Sequence, residues 1–238
     1  MSKTFLLILL SATLAISAGC KSEIDNKVAA EVNEPVVEKS GEAADEAGTA
    51  KTDEALEVYT VNVAESSIGW VGAKVTGDHT GGFNKWEGKI SAKDGKVQKL
   101  EFTVDAASIF SDDEKLTEHL KSADFFDVEK FPEAKFVSTE VVEKPGVLKT
   151  EDGKEIQLTH TVTGNFTVHG VSKSVTFPVA IQTSDDSVKA QTQFTFKRFD
   201  FDIAYKGKAD DLIRDEVLLK IALVAPTNVE TAEAVAVD

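Results

Sequence analysis

The sequence predicts an all-β fold, an antiparallel barrel or sandwich, on three observations. Across residues 58–226, strand-length runs alternate apolar and polar residues with period two. Turn signals rich in Gly, Asn and Asp separate these runs at short spacing. Only one segment has helical periodicity, so there is no strand–helix alternation from which to build a parallel sheet. Barrel or sandwich is a choice with functional weight, because a closed barrel of about eight strands is just wide enough to hold one small ligand.

Ahead of this domain come two segments of different character. Residues 1–20 read as a signal peptide: Lys3 gives a positive start, residues 5–16 form an apolar run too short for comfortable membrane spanning, and Ser17-Ala18-Gly19 are small. Cys20 follows at once and is the only cysteine, which rules out an intrachain disulfide. The arrangement resembles a bacterial lipoprotein signal, in which Cys20 would become the lipidated first residue and hold the protein to a membrane, although Ser17 stands where Leu is usual. An ordinary secretory signal with an incidental cysteine is the other reading. Residues 21–57 are acidic, contain one proline (Pro35) and no aromatic residue, and are expected to form a disordered linker.

Within the domain, residues 58–63 and 67–75 are strand-like, and Asp78 to Gly82 is a turn cluster. Strands at 83–91 and 97–107 flank the Asp94-Gly95 turn, with Leu100, Phe102, Val104 and Ala106 on one face. Ser111 and Glu114 match a capping box for a short helix on which Leu116 and Leu120 share a face. Phe125, Phe126 and Phe131-Pro132 then form an apolar loop. A strand at 135–142 passes through Pro145-Gly146 and Asp152-Gly153 turn signals to the longest alternating stretch, residues 156–181. There Ile156, Leu158, His160, Val162, Phe166 and Val168 face one way, His169-Gly170 closes a hairpin, and Val175, Phe177, Val179 and Ile181 resume the pattern. Strands at 188–197, 199–205 and 216–224 complete the domain, and residues 227–238 form a flexible tail.

The chemistry-bearing residues exclude more than they suggest. With 41 acidic against 26 basic residues the net charge is −15, which repels phosphate backbones and argues against nucleic acid as a partner. The four histidines form no HExxH or HxxxH pair and no second cysteine exists, so no metal site is expected. No GxSxG elbow or phosphate-cradling loop occurs, and no catalytic residue is assigned. His160 stands apart because it falls on an apolar face, where it needs a partner or a ligand. Fourteen Phe against two Tyr and two Trp give many aromatic faces without hydrogen-bonding handles, suited either to a solid core or to a cavity for an apolar chain.

Three stretches carry a resemblance: IGWVGAKVTGDHTGGF at 68–83, LKSADFFDVEKFPEAKFVS at 120–138 and VTGNFTVHGVSKSVTFPV at 162–179. In this order they resemble the YceI-like family across residues 58–226. Family members often open with an Asp and a His-Ser pair where this chain has Asn62 and Ser66-Ser67. The resemblance implies a lipocalin-like antiparallel barrel of about eight strands with one short helix. Its characterised relatives hold polyisoprenoids or other long amphiphiles, usually in the periplasm or cell envelope, and are not generally enzymes. Carried onto this chain, the tunnel would be lined by Trp70, Phe83, Phe102, Phe125, Phe126, Phe131 and Phe136, together with His160, Phe166, Phe177, Phe194, Phe196 and Phe201. No cofactor is expected beyond a bound isoprenoid or quinone lipid, and because some relatives pair, a homodimer is compatible. Three other readings stand beside this one: an envelope protein with a filled core and no ligand, an enzyme on a lipid or quinone with His160 as acid or base, and a peptide-binding module using an exposed strand edge.

Overall fold

The computed structural model describes residues 22–25, 27–36, 56–150 and 153–227. The signal segment with Cys20, residues 37–55 of the expected linker, Asp152 of one expected turn and the tail from residue 228 lie outside the described residues. Within them the strands are β1 (Glu31–Asn33), β2 (Glu57–Thr60), β3 (Ser67–Lys74), β4 (Gly77–Phe83), β5 (Trp86–Lys93), β6 (Lys96–Asp105) and β7 (Ile109–Ser111). After helix α1 (Glu114–Lys121) come β8 (Glu133–Lys149), β9 (Glu155–Val168), β10 (Val171–Thr183), β11 (Ser187–Lys197), β12 (Gly207–Lys208) and β13 (Asp211–Pro226).

Eleven of these strands hydrogen-bond in one antiparallel path, β2-β5-β6-β8-β9-β10-β11-β13-β3-β4-β7, which curls into a barrel-like shell. The all-β antiparallel architecture with one short helix is the predicted one. The strand count exceeds the expected eight in part because β1, β7 and β12 have only three, three and two residues, too short for alternation to reveal, and because β4 occupies residues expected as a turn. Nor does a ladder join the two ends of the path among the described residues, so the shell is a curled sheet rather than a fully closed barrel.

The central hairpin forms as its pattern requires. β9 and β10 pair in register from Val168↔Val171 to His160↔Val179, and the turn sets His169 (φ 52°) and Gly170 (φ 75°) in the left-handed region demanded by a two-residue hairpin loop. Gly170 is needed for space as well, since a Cβ there would lie 2.4 Å from the Phe131 ring.

Four local expectations are corrected. Residues 78–82, expected as a turn, run as strand β4, because the glycines serve close approach: a Cβ on Gly81 would sit 2.0 Å from the Phe110 carbonyl oxygen and 2.5 Å from the Trp70 ring. Pro145-Gly146 is a bulge inside β8 and not a turn, the ladder to β9 slipping between Glu143 and Gly146. Residues 199–205 are not a strand. Arg198–Phe201 form a 3₁₀ turn that ends at Asp202 in the left-handed conformation, held by Arg198, which is 3% exposed. Its guanidinium donates to the carbonyl oxygens of Ile203 (2.6 Å), Arg214 (3.0 Å) and Ile213 (3.4 Å), where the β13–β3 ladder slips. Finally, Asp113 and not Ser111 caps α1, accepting from the Leu116 N–H at 2.8 Å.

The linker is corrected most. Residues 22–25 and 27–36 lie along the barrel wall as a strap. Ile24, 3% exposed, covers outward-facing Val71, Ala73 and Leu218. Farther on, Ala30 donates its N–H to the Thr195 carbonyl (2.8 Å), and β1 pairs with β10 through Val32↔Val175. β10 and β11 pair directly only over Ala180–Thr183 and Val188–Gln191, so the strap fills the gap where they splay. Ala30 and Val32 pack against the main core, and Asp25–Arg214 (2.7 Å), Glu23–Lys220 (2.6 Å) and Glu34–Lys173 (2.8 Å) pair on the outside. No local pattern signals this, because Ile24 and Val32 are covered only by a wall supplied by distant strands.

Candidate functional site

The shell encloses an apolar cavity of about 680 Å³. That is within the range of small-molecule sites. Its walls are the inward positions of the strands: Leu100, Phe102 and Val104 on β6, Phe136 on β8, Val162 and Phe166 on β9, Val175, Phe177 and Val179 on β10, and Phe194 and Phe196 on β11. Opposite them stand Trp70 on β3 and Val217, Leu219, Ile221 and Leu223 on β13. Period-two alternation places all of these side chains on one face of the curled sheet.

One end is shut. Leu100, Val179, Ala190 and Leu223 line the deep part, and behind them Tyr59, Ile90, Ile181, Val188 and Ala225 pack as solid core. At the other end α1 forms part of the wall through Leu116 and Leu120, beside Phe125, Phe126 and Tyr205. Here the lining turns polar, with Lys74, His79, Asp113, Lys115, Lys208 and Asp211, so this end is the mouth. His119 sits at the rim, its Nε2 2.8 Å from Asp124 and its ring edge-on to Phe125 and Tyr205.

Two carboxylates at the mouth are held ionised by their partners. Lys74 above all, with Thr76, holds the Asp211 carboxyl below the usual carboxylate range. For Asp112, burial pushes upward, but hydrogen bonds from His79 and the Thr80 N–H outweigh it and the net shift is downward. Deeper in, burial lowers the Arg198 guanidinium, opposed by nearby Asp215. The Trp70 indole N–H, on a residue 8% exposed, has no hydrogen-bond partner among the described residues.

Of the thirteen side chains expected along a tunnel, the structure brings ten to the cavity: Trp70, Phe83, Phe102, Phe125, Phe126, Phe136, Phe166, Phe177, Phe194 and Phe196. Their rings line the space in pairs rather than filling it. Phe177 and Phe194 stack at 4.3 Å, and Phe166 meets Phe196 edge-on at 5.8 Å. Three expected residues are elsewhere. Phe131 packs outside on His169, 4.7 Å between ring centroids. Phe201 is wholly buried behind the wall, supporting Phe166 and Phe196 at 5.1 and 5.5 Å. His160 shares the parity of Val162 and stands opposite Val179 in the ladder, but it does not line the cavity; its Nδ1 lies 2.7 Å from the Thr159 hydroxyl, which accepts from the Ile181 N–H at 2.8 Å. The residues not foreseen are aliphatic ones of β13, which do alternate in the sequence, and Tyr205, His119 and Leu116, which only the folded chain gathers. Among the described residues no group of three or more His, Cys, Asp or Glu side chains could hold a metal ion.

A sequence profile of the YceI-like domain matches residues 59–225, the whole barrel apart from the strap. The chain belongs to the YceI-like family. Among curated relatives it is 41% identical over 99 residues to a UPF0312 protein of Pseudomonas putida, covering 41% of this chain and 46% of that protein. It is also 44% identical over 98 residues to one of Pseudomonas fluorescens, covering 40% and 46%. The chain thus matches about half the length of these relatives. Two solved structures share the fold. Burkholderia cenocepacia BcnA superposes with a TM-score of 0.59 at 24% identity, covering 69% of this chain and 99% of that one. A polyisoprenoid binding domain from Saccharophagus degradans, implicated in plant cell wall breakdown, gives 0.55 at 14% identity, covering 73% and 99%.

Proposed function

We propose that this YceI-like barrel binds or carries, without turnover, a polyisoprenoid or similar long-chain amphiphilic lipid in the bacterial cell envelope, tethered to a membrane through a lipidated Cys20. One observation carries the reading: the Phe-rich interior is a cavity with a shut apolar floor and a polar mouth, the shape that takes an apolar tail and leaves a headgroup near water. Each CH₂ buried there contributes ~0.8 kcal/mol. A tail therefore supplies affinity without needing a chemical partner. The solved polyisoprenoid binding domain of like fold supports the same class of ligand.

Two measurements test it. Organic extraction of the purified protein followed by mass spectrometry is expected to release one long-chain species in stoichiometric amount. Addition of cis-parinaric acid, a polyene fatty acid that fluoresces on burial, is expected to give saturable emission and a raised melting temperature. No extracted lipid, together with no parinaric acid signal and no thermal shift from prenyl alcohols, would replace this reading with that of a ligand-free envelope protein.

A further inference from the structure

The mouth of the cavity is bordered by two adjacent turns. One joins β3 to β4 and carries Val75; the other joins β12 to β13, and Leu212 follows it as the second residue of β13. The Val75 N–H donates to the Leu212 carbonyl at 3.1 Å, and Thr76 and Lys74 both bond Asp211, so the two turns form a single rim. Val75 is 72% exposed and Leu212 50%, two aliphatic side chains side by side in water at the lip of the cavity. The rim is also electrically unlike the rest of the molecule. Residues 74–78 and 206–212 carry Lys74, Lys206 and Lys208 against Asp78, Asp210 and Asp211, a balance of zero in a chain of net charge −15. It is a surface that an anionic bilayer would not repel.

The start of the strap lies at this same rim. Ser22 donates its hydroxyl, and Glu23 its N–H, to the Asp78 carboxylate at the base of the first turn, each at 2.9 Å. Cys20 precedes Ser22 by two residues, and two extended residues reach about 7 Å at most. With the strap docked, a lipid on Cys20 enters the bilayer beside Val75 and Leu212 and not at the end of a long leash.

We infer that the Val75–Leu212 rim is a bilayer-docking surface, which sets the mouth of the cavity directly on the membrane so that a lipid tail passes between bilayer and barrel without crossing water. The inference rests on the proposed lipid cargo and Cys20 anchor, and it adds to them the orientation of the barrel and the residues that fix it.

The test is amide hydrogen exchange on the protein purified from membranes of the expressing cell and placed in vesicles of phosphatidylethanolamine and phosphatidylglycerol. Relative to the protein in detergent-free solution, exchange at 75–78 and 209–212 is expected to slow by about tenfold or more, and at 143–149, where Val147 is similarly exposed at the far end, to stay unchanged. Val75→Asp with Leu212→Asp is expected to remove that protection and to slow uptake of cis-parinaric acid from the vesicles, while uptake from solution is unaltered. Unprotected rim amides in the parent protein, or vesicle uptake indifferent to the double substitution, would overturn the inference. Protection that follows protein concentration and ignores vesicles would assign the rim to a second copy of the chain and overturn it equally. An unmodified Cys20 in the purified protein would refute the anchor alone; the rim is then read with the Cys20 thiol coupled to a maleimide lipid. Absence of parinaric acid binding from solution would refute the cargo, leaving the exchange pattern to decide docking.

Discussion

Ser138 shows how a single buried polar atom steadies the wall of the cavity. The β8–β9 ladder slips just after it, between Ser138 and Glu140, and its hydroxyl accepts from the Leu100 N–H of β6 at 2.8 Å, both residues being buried. Ser138→Ala leaves that N–H without a partner, at a cost of ~1–3 kcal/mol, because the donor keeps its desolvation penalty and loses its acceptor. Urea denaturation is expected to show that loss, whereas Ser184→Ala at an exposed turn should stay within about 0.5 kcal/mol of the parent. No sequence pattern announces Ser138, since its importance depends on the slip in the ladder beside it. The phenylalanines were readable for the opposite reason: alternation alone assigns Phe102, Phe166, Phe177 and Phe194 to the inner face. The same parity misled for His160, which has the right face and stands opposite Val179 yet does not line the cavity: its ring pairs with the Thr159 hydroxyl, and periodicity carries no information on such a local pairing.

At the scale of elements, the long strands were legible because each buries its own alternating face, and the short ones were not because their stability is borrowed. The strap is the clearest case. Its ion pairs are partly solvent-exposed and contribute little, so its docking rests on Ile24 over Val71, Ala73 and Leu218 and on the hydrogen bonds made by Ser22 and Glu23 to Asp78, by residues 28–33 along β10 and β11, and by Val36 to Asn165. Truncating a buried Ile in a rigid core costs ~2–5 kcal/mol. For Ile24→Ala the loss of global stability is capped at the free energy of docking, because the strap can detach while the barrel stays folded. The expected outcome is that Ala30 and Thr195 amides exchange about tenfold faster or more, with little change at Val162 of β9 and Phe177 of β10, which pair with each other within the central hairpin. Equal acceleration across β9 and β10 would show instead that the strap is an integral stave whose loss opens the whole sheet.

For the whole molecule, the decisive feature is asymmetry: a floor packed from Ile90, Val188 and Ala225, each fully buried, and a mouth where the lining becomes polar. On the proposed function, a cavity of this form would bind tails by counting carbons until the floor is reached. Along a series of n-alkanoic acids, each added CH₂ is expected to tighten binding roughly fourfold, the equivalent of ~0.8 kcal/mol. Beyond the length that touches Leu100, Val179, Ala190 and Leu223, added carbons must coil or remain at the mouth, and the gain per carbon collapses. Ala190→Phe raises the floor, since Ala190 is a small side chain at the edge of the core that faces the space. It should therefore shift the plateau to shorter chains while leaving short-chain affinity intact, and with no ligand present the stability should hold, because the new ring fills emptiness and displaces no packed atom. Competition against cis-parinaric acid reads both curves. A gain that continued undiminished through the longest chains would mean that the floor opens in solution and that the cavity runs through the barrel from end to end.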